Sequence, residues 1–100
     1  MTTPAVELTK DRLVYRRGQQ AKTELDMADL EEVAVMASND LCYWHLRTRT
    51  RGEALVPVGI PGEAQIRQYL SRWRGFDYDA LVRFVSEPPA SGSLRLWPLI

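Results

Sequence analysis

One hundred residues, 45% hydrophobic and 26% charged, make one globular domain with a single core and exclude a disordered chain. Basic and acidic residues balance at a formal net charge of zero, so the chain as a whole has no electrostatic bias toward nucleic acid or an anionic membrane. The charge is unevenly spread: Met1–Asp40 is acidic, whereas Leu41–Ile100 is basic and has arginine as its only cation.

Residues 1–11 show no period and read as a flexible N-terminal arm, leaving residues 12–100 as the domain. Leu13-Val14-Tyr15-Arg16 predicts a short strand that turns at Arg17-Gly18-Gln19. From Ala21 to Met27 the pattern alternates, with Ala21, Thr23, Leu25 and Met27 on one face and Lys22, Glu24 and Asp26 on the other. Met27–Ala37 fits two periods. Met27, Leu30, Val33, Ala34 and Ala37 approach helical spacing, while Val33, Val35 and Ala37 alternate as in a strand buried on both sides. The reading adopted is a turn at Asp29 and a strand from Glu31 to Ala37, with helix as the alternative.

Leu41–Val58 predicts a hairpin. Its first arm, Leu41–Thr48, is rich in aromatic and β-favouring residues. The bend falls near Arg51-Gly52-Glu53, and Pro57 confines the return arm to a sheet edge because it cannot donate to a ladder. Next comes a helix with Ile66, Tyr69, Leu70 and Trp73 on one face. Gly75 suits a left-handed cap, and Asp77 caps a second helix whose apolar face is Leu81, Phe84 and Val85. Phe76 before that cap and Leu81 after it have the spacing of a hydrophobic staple. Glu87–Ser93 is a connector, and Leu94–Trp97 a short alternating strand. The order predicts an α+β domain: an antiparallel sheet of about five strands, then two helices and a short C-terminal strand. Trp44, Trp73 and Trp97 read as core anchors. Each removes about 150–250 Å² from water, worth at most about 4–6 kcal/mol.

Several segments together resemble a set of small uncharacterised bacterial proteins. They are Leu30-Glu31-Glu32-Val33-Ala34-Val35, Tyr43-Trp44-His45-Leu46, Val56-Pro57 and, above all, Leu70-Ser71-Arg72-Trp73-Arg74-Gly75-Phe76-Asp77. The resemblance covers about Leu25 to Trp97, and Arg74 stands where those relatives carry proline. It implies a pleckstrin-homology-like partial barrel, from which the second helix and last strand depart. It implies a binding or scaffolding role and carries over no catalytic residue.

Cys42 is alone, so no intramolecular disulfide can form. With an N-terminus lacking signal-peptide features and no apolar run of membrane-spanning length, the expected compartment is the cytoplasm. Cys42 and His45 lie three apart on a strand and point to opposite faces, which excludes them as a nucleophile–base pair. No phosphate-loop, dinucleotide or zinc motif occurs, so neither cofactor nor metal is expected and the chain reads as a non-enzyme.

Two surfaces are candidates for binding. On the tryptophan strand, Cys42, Trp44, Leu46 and Thr48 should face the core, leaving Tyr43, His45, Arg47, Arg49 and Arg51 as an aromatic and arginine row. Such a row could take an anion or single-stranded nucleic acid. The competing reading, which is preferred, is the solvated face of a hairpin. The tail, with Leu94, Leu96, Trp97, Leu99 and Ile100, could dock a partner, or it could be a closing strand that completes the core. The favoured function is a protein-interaction or scaffolding module that binds another protein or a second copy of itself; nucleic acid is the alternative.

Overall fold

The computed structural model describes residues 4–18, 21–39, 41–50 and 52–98. Within them seven strands form two antiparallel sheets rather than one sheet of about five strands. The first holds β1 (Ala5–Thr9), β2 (Arg12–Arg16) and β3 (Lys22–Asp26) in the order β1-β2-β3. The second holds β4 (Leu30–Ser38), β5 (Leu41–Thr48), β6 (Glu53–Pro57) and β7 (Ser91–Trp97) in the order β6-β5-β4-β7. Two helices, α1 (Ala64–Leu70) and α2 (Tyr78–Ser86), separate β6 from β7, and among the described residues no helix is long and apolar enough to cross a membrane.

The flexible arm expected at residues 1–11 is corrected: Ala5–Thr9 is β1, paired with β2 from Ala5↔Arg16 to Thr9↔Arg12. Its hairpin turns through Lys10, which takes a φ of 56°. Lys10-Asp11 lacks the glycine or asparagine that usually marks so tight a reversal, so the turn leaves little trace in the sequence. Val6 is 3% exposed and belongs to the core, with Leu8 packed against it.

The outer edge of β1 is covered. Met27 N–H bonds to Asp11 O and Arg17 N–H to Ala21 O, which sets the alternation of the β2–β3 ladder. By that alternation Val6 and Leu8 turn their backbone groups away from β2. Val6 N–H donates to Pro61 O at 2.8 Å, and Leu8 N–H to Gln65 Oε1 at 3.0 Å. The chain entering α1 therefore supplies partners that another strand would otherwise supply. Gly62 makes the approach feasible. Its φ is +85°, and a Cβ there would overlap the Val6 carbonyl oxygen.

Between β3 and β4 the chain makes a single 3₁₀ turn, Met27–Asp29, started by Asp26 Oδ1 accepting from Ala28 N–H at 3.0 Å. The strand read for Glu31–Ala37 thus holds, running from Leu30 to Ser38, with Val33 and Val35 facing the core while Ala34 is covered on the other side. Helix α1 stops at Leu70, earlier than the apolar spacing suggests. Trp73 sits in the following turns and meets Trp97 edge-on, with ring centroids 4.7 Å apart. Asp77 caps α2 as expected, its Oδ1 accepting from Ala80 N–H at 3.0 Å. Trp44, fully buried, stacks on Phe76 with centroids 6.5 Å apart.

The two sheets approach each other along β3 and β6 without sharing a ladder. They close at one end, where a Cβ on Gly52 would lie 2.7 Å from Leu25 Cδ2, and splay at the other.

Candidate functional site

The predicted parity of β5 holds. Trp44 and Leu46 are fully buried and Thr48 nearly so, whereas Tyr43 and His45 are half-buried and Arg47 is exposed on the opposite face. What the sequence does not display is the partnering of that face. Cross-strand register sets Arg47 between Glu32 on β4 and Glu53 on β6. Arg47 Nη2 lies 3.2 Å from Glu32 Oε2, and Arg95 Nη2 of β7 lies 2.9 Å from the same oxygen. His45 Nε2 is 2.7 Å from Glu53 Oε1. Each exposed ion pair adds about 0–1 kcal/mol of stability, so the larger consequence is electrostatic: the carboxylates cancel most of the positive field that a nucleic-acid platform requires. Arg49 lies in the turn beyond β5 and so outside the row. Arg51 lies outside the described residues.

The tail residues divide. Leu96 is fully buried and Trp97 packs on Trp73, so this part of the tail closes the core. Leu94 keeps 37% of its surface exposed. Leu99 and Ile100 lie outside the described residues. The strand starts earlier than Leu94, at Ser91, and pairs with β4 from Ser38↔Ser91 to Val33↔Trp97, with a bulge near Leu96.

The free edge of β7 follows from the ladder. Thr48 N–H bonds to Gly52 O and Val58 N–H to Cys42 O, so Cys42, Trp44, Leu46 and Thr48 direct their backbone groups to β6. Tyr43, His45 and Arg47 then bond to β4, which leaves Val33, Val35 and Ala37 for β7. Gly92 and Leu94 are consequently engaged with β4, while Ser91, Ser93 and Arg95 turn their N–H and C=O outward. Among the described residues the one backbone bond on this side is Asp77 N–H to Leu96 O at 3.2 Å. The stretch Ser91–Arg95 is therefore an uncovered edge.

Glu63 is a residue that sequence reading missed. Only 4% exposed, it accepts from Trp44 Nε1 at 2.8 Å and from Arg67 Nε at 3.2 Å. This clamp ties the start of α1 to the centre of β5. Nothing in the spacing of Trp44 and Glu63 announces it, although a buried indole needs an acceptor from somewhere. On the opposite side of α1, Tyr69 Oη donates to Asp11 Oδ1 at 2.7 Å. Burial, then the hydrogen bond to Asp11 and the charges of Asp11 and Asp26, push the Tyr69 phenol up to about 12.

Among the described residues no three histidine, cysteine, aspartate or glutamate side chains gather as a metal site. No family model matches the chain, and neither the curated proteins nor the solved structures contain a match.

Proposed function

We propose that this chain is a non-enzymatic, cytoplasmic protein-interaction module that docks through the outer edge of β7, and that its occupant is a second copy of itself. The observation that carries this reading is the contrast between edges. The outward N–H groups of Val6 and Leu8 on β1 have partners, and the outward groups of Ser91, Ser93 and Arg95 on β7 have none among the described residues. Antiparallel self-pairing centred on Ser93 sets Ser91 opposite Arg95 and Leu94 opposite Gly92, with no like charges face to face. Arg95 shares the Glu32 carboxylate with Arg47, which reduces the repulsion between two copies of the edge. Pairing would extend each four-stranded sheet into one of eight strands. The pleckstrin-homology-like reading of the architecture belongs to the same proposal: paired antiparallel sheets support it, and β7 after the helices is its departure.

Sedimentation velocity across micromolar to millimolar protein tests the reading, with Ser93→Pro as the blocking variant. Proline removes an outward N–H and leaves the bonds to β4 intact. A concentration-dependent dimer that Ser93→Pro converts to a folded monomer is the expected result. A wild-type chain that is monomeric throughout, or a dimer indifferent to Ser93→Pro, removes it.

A further inference from the structure

A second feature stands apart from the β7 edge and does not depend on it. Where β3 and β6 splay, they leave an open cleft of about 350 Å³ lined by Tyr15, Arg17, Thr23, Glu53, Ala54 and Leu55. That volume is at the lower end of the range of small-molecule sites. The ladders dictate who faces it. Tyr15 pairs with Thr23, so their side chains stand side by side, and Arg17 follows Tyr15 by two residues on the same face. Across the gap, Ala54 and Val56 spend their backbone groups on β5, so Glu53 and Leu55 present theirs to the seam.

Polar groups here are open to a ligand. The Tyr15 ring is buried, and neither the Tyr15 nor the Thr23 hydroxyl has a protein hydrogen-bond partner among the described residues; as no buried polar side-chain atom among them goes unpartnered, both hydroxyls reach solvent at the cleft. Burial raises the Tyr15 phenol above its ordinary value, against the opposing pull of the Arg17 charge, so it remains a donor at neutral pH. Arg17 and Glu53 line the same cleft with opposite charges but form no ion pair within 4.0 Å. Glu53, which lines the cleft, is held by His45 through Oε1 at 2.7 Å, and its Oε2 has no protein partner among the described residues.

We infer that this seam is a binding site for a small carboxylate that also carries a hydrogen-bond donor, an amino acid or hydroxy acid. The carboxylate goes to Arg17, with the hydroxyls of Tyr15 and Thr23 as further donors. The amino or hydroxyl group of the ligand goes to Glu53, and Ala54 and Leu55 form the apolar wall. A phosphate dianion suits the cleft less well because Glu53 would face it. An extended peptide is excluded by length. The edges close at Leu25 and Gly52, Pro57 offers no N–H, and on β6 only Glu53 and Leu55 remain to pair with a strand.

The experiment is a titration of ¹⁵N-labelled full-length protein with L-serine, set beside acetate, N-acetyl-L-serine and inorganic phosphate. Amide shifts from L-serine confined to Tyr15–Arg17, Thr23 and Glu53–Leu55 are expected. Arg17→Ala and Glu53→Gln should each weaken binding by about tenfold, as loss of one charge-assisted hydrogen bond implies. Both side chains are exposed and Glu53→Gln keeps an acceptor for His45, so neither variant threatens the fold; Tyr15→Phe, which keeps the buried ring, gives a third, smaller loss. Three results would overturn the assignment: no shifts at the cleft, acetate or N-acetyl-L-serine or phosphate binding as well as L-serine, or affinity unaffected by the Arg17 and Glu53 changes. Oligomeric state is read separately, so failure here leaves the β7 reading where it stands, and the converse.

Discussion

The two sheets end differently. The three-stranded sheet has its outer strand, β1, sealed by the Pro61 carbonyl, the Gln65 side chain and the close pass of Gly62. The four-stranded sheet has its outer strand, β7, held on one side by β4 and met on the other, among the described residues, by a single backbone bond from Asp77. Both edges contain exposed polar residues, so composition does not separate them. What separates them is whether another segment supplies partners at the spacing of the outward backbone groups. A sealed edge is an internal structural joint, and an unsealed one is available for pairing. The comparison therefore predicts that damage to the β1 joint is read as lost stability, whereas damage to the β7 edge is read as lost association.

Gly62→Ala should be the most damaging change at the sealed edge. The new methyl meets backbone rather than a movable side chain, and the residue must hold a φ of +85°. Overpacking and left-handed strain together suggest a loss of about 2–5 kcal/mol, measurable as a fall in the urea midpoint with little change in slope. A loss under about 0.5 kcal/mol would show that the loop can back away from Val6 at no cost. Glu63→Ala comes next. It leaves the buried indole N–H of Trp44 without an acceptor and frees Arg67, at about 2–3 kcal/mol, while Glu63→Gln should recover part of it by keeping an acceptor for the indole. Equal losses in the two variants would mean that the carboxylate charge, rather than the acceptor, holds the clamp.

Much of this was legible in the sequence. The alternation of Ala21–Met27, the faces of Leu41–Thr48, the capping by Asp77 and the choice of strand for Glu31–Ala37 each follow from local rules that the tertiary structure obeys. Local rules fail where the cause is distant. β1 is a strand because Pro61 and Gln65, more than fifty residues away, satisfy its outer amides. The arginine row is legible as a row, but its neutralisation depends on Glu32 and Glu53 from two other strands. β1, and with it the separation of a three-stranded sheet, was missed for the same reason: a short strand with an unmarked turn looks like an arm until its partner is known. The seam cleft arises from the splay of two edges, which no residue encodes alone.

Smaller effects sharpen the comparison. Gln65→Ala should cost about 1 kcal/mol and, more tellingly, should speed hydrogen exchange at Leu8 without changing it at Val6, whose acceptor is backbone. Uniform acceleration along β1 would show that the strand opens as one unit. Tyr69→Phe removes the bond from α1 to Asp11 at about 0.5–1 kcal/mol near neutral pH. It also carries a signature in alkali. The folded Tyr69 phenol titrates at about 12 against an ordinary value near 10, so its protonated form is favoured by folding. That stability is fully present below about pH 10 and is lost as pH rises through about 12. Wild type should therefore lose more of its urea midpoint than Tyr69→Phe over this window. Parallel loss in the two proteins would place the alkaline sensitivity elsewhere.

The smallest expected change in stability is the most discriminating one. Ser93→Pro deletes an N–H that points away from β4, at a position in the uncovered edge, so stability should stay within about 0.5 kcal/mol of wild type. The same logic applied to Leu8, whose outward N–H is engaged by Gln65, gives the opposite expectation, because a proline there removes a made bond. The two positions thus compare one substitution on two edges. If Leu8→Pro destabilises and Ser93→Pro does not, the difference isolates the covering segment as the cause. If Ser93→Pro destabilises by more than about 1 kcal/mol, its N–H belongs to the ladder after all, and the outward alternation assigned to β7 must shift by one residue.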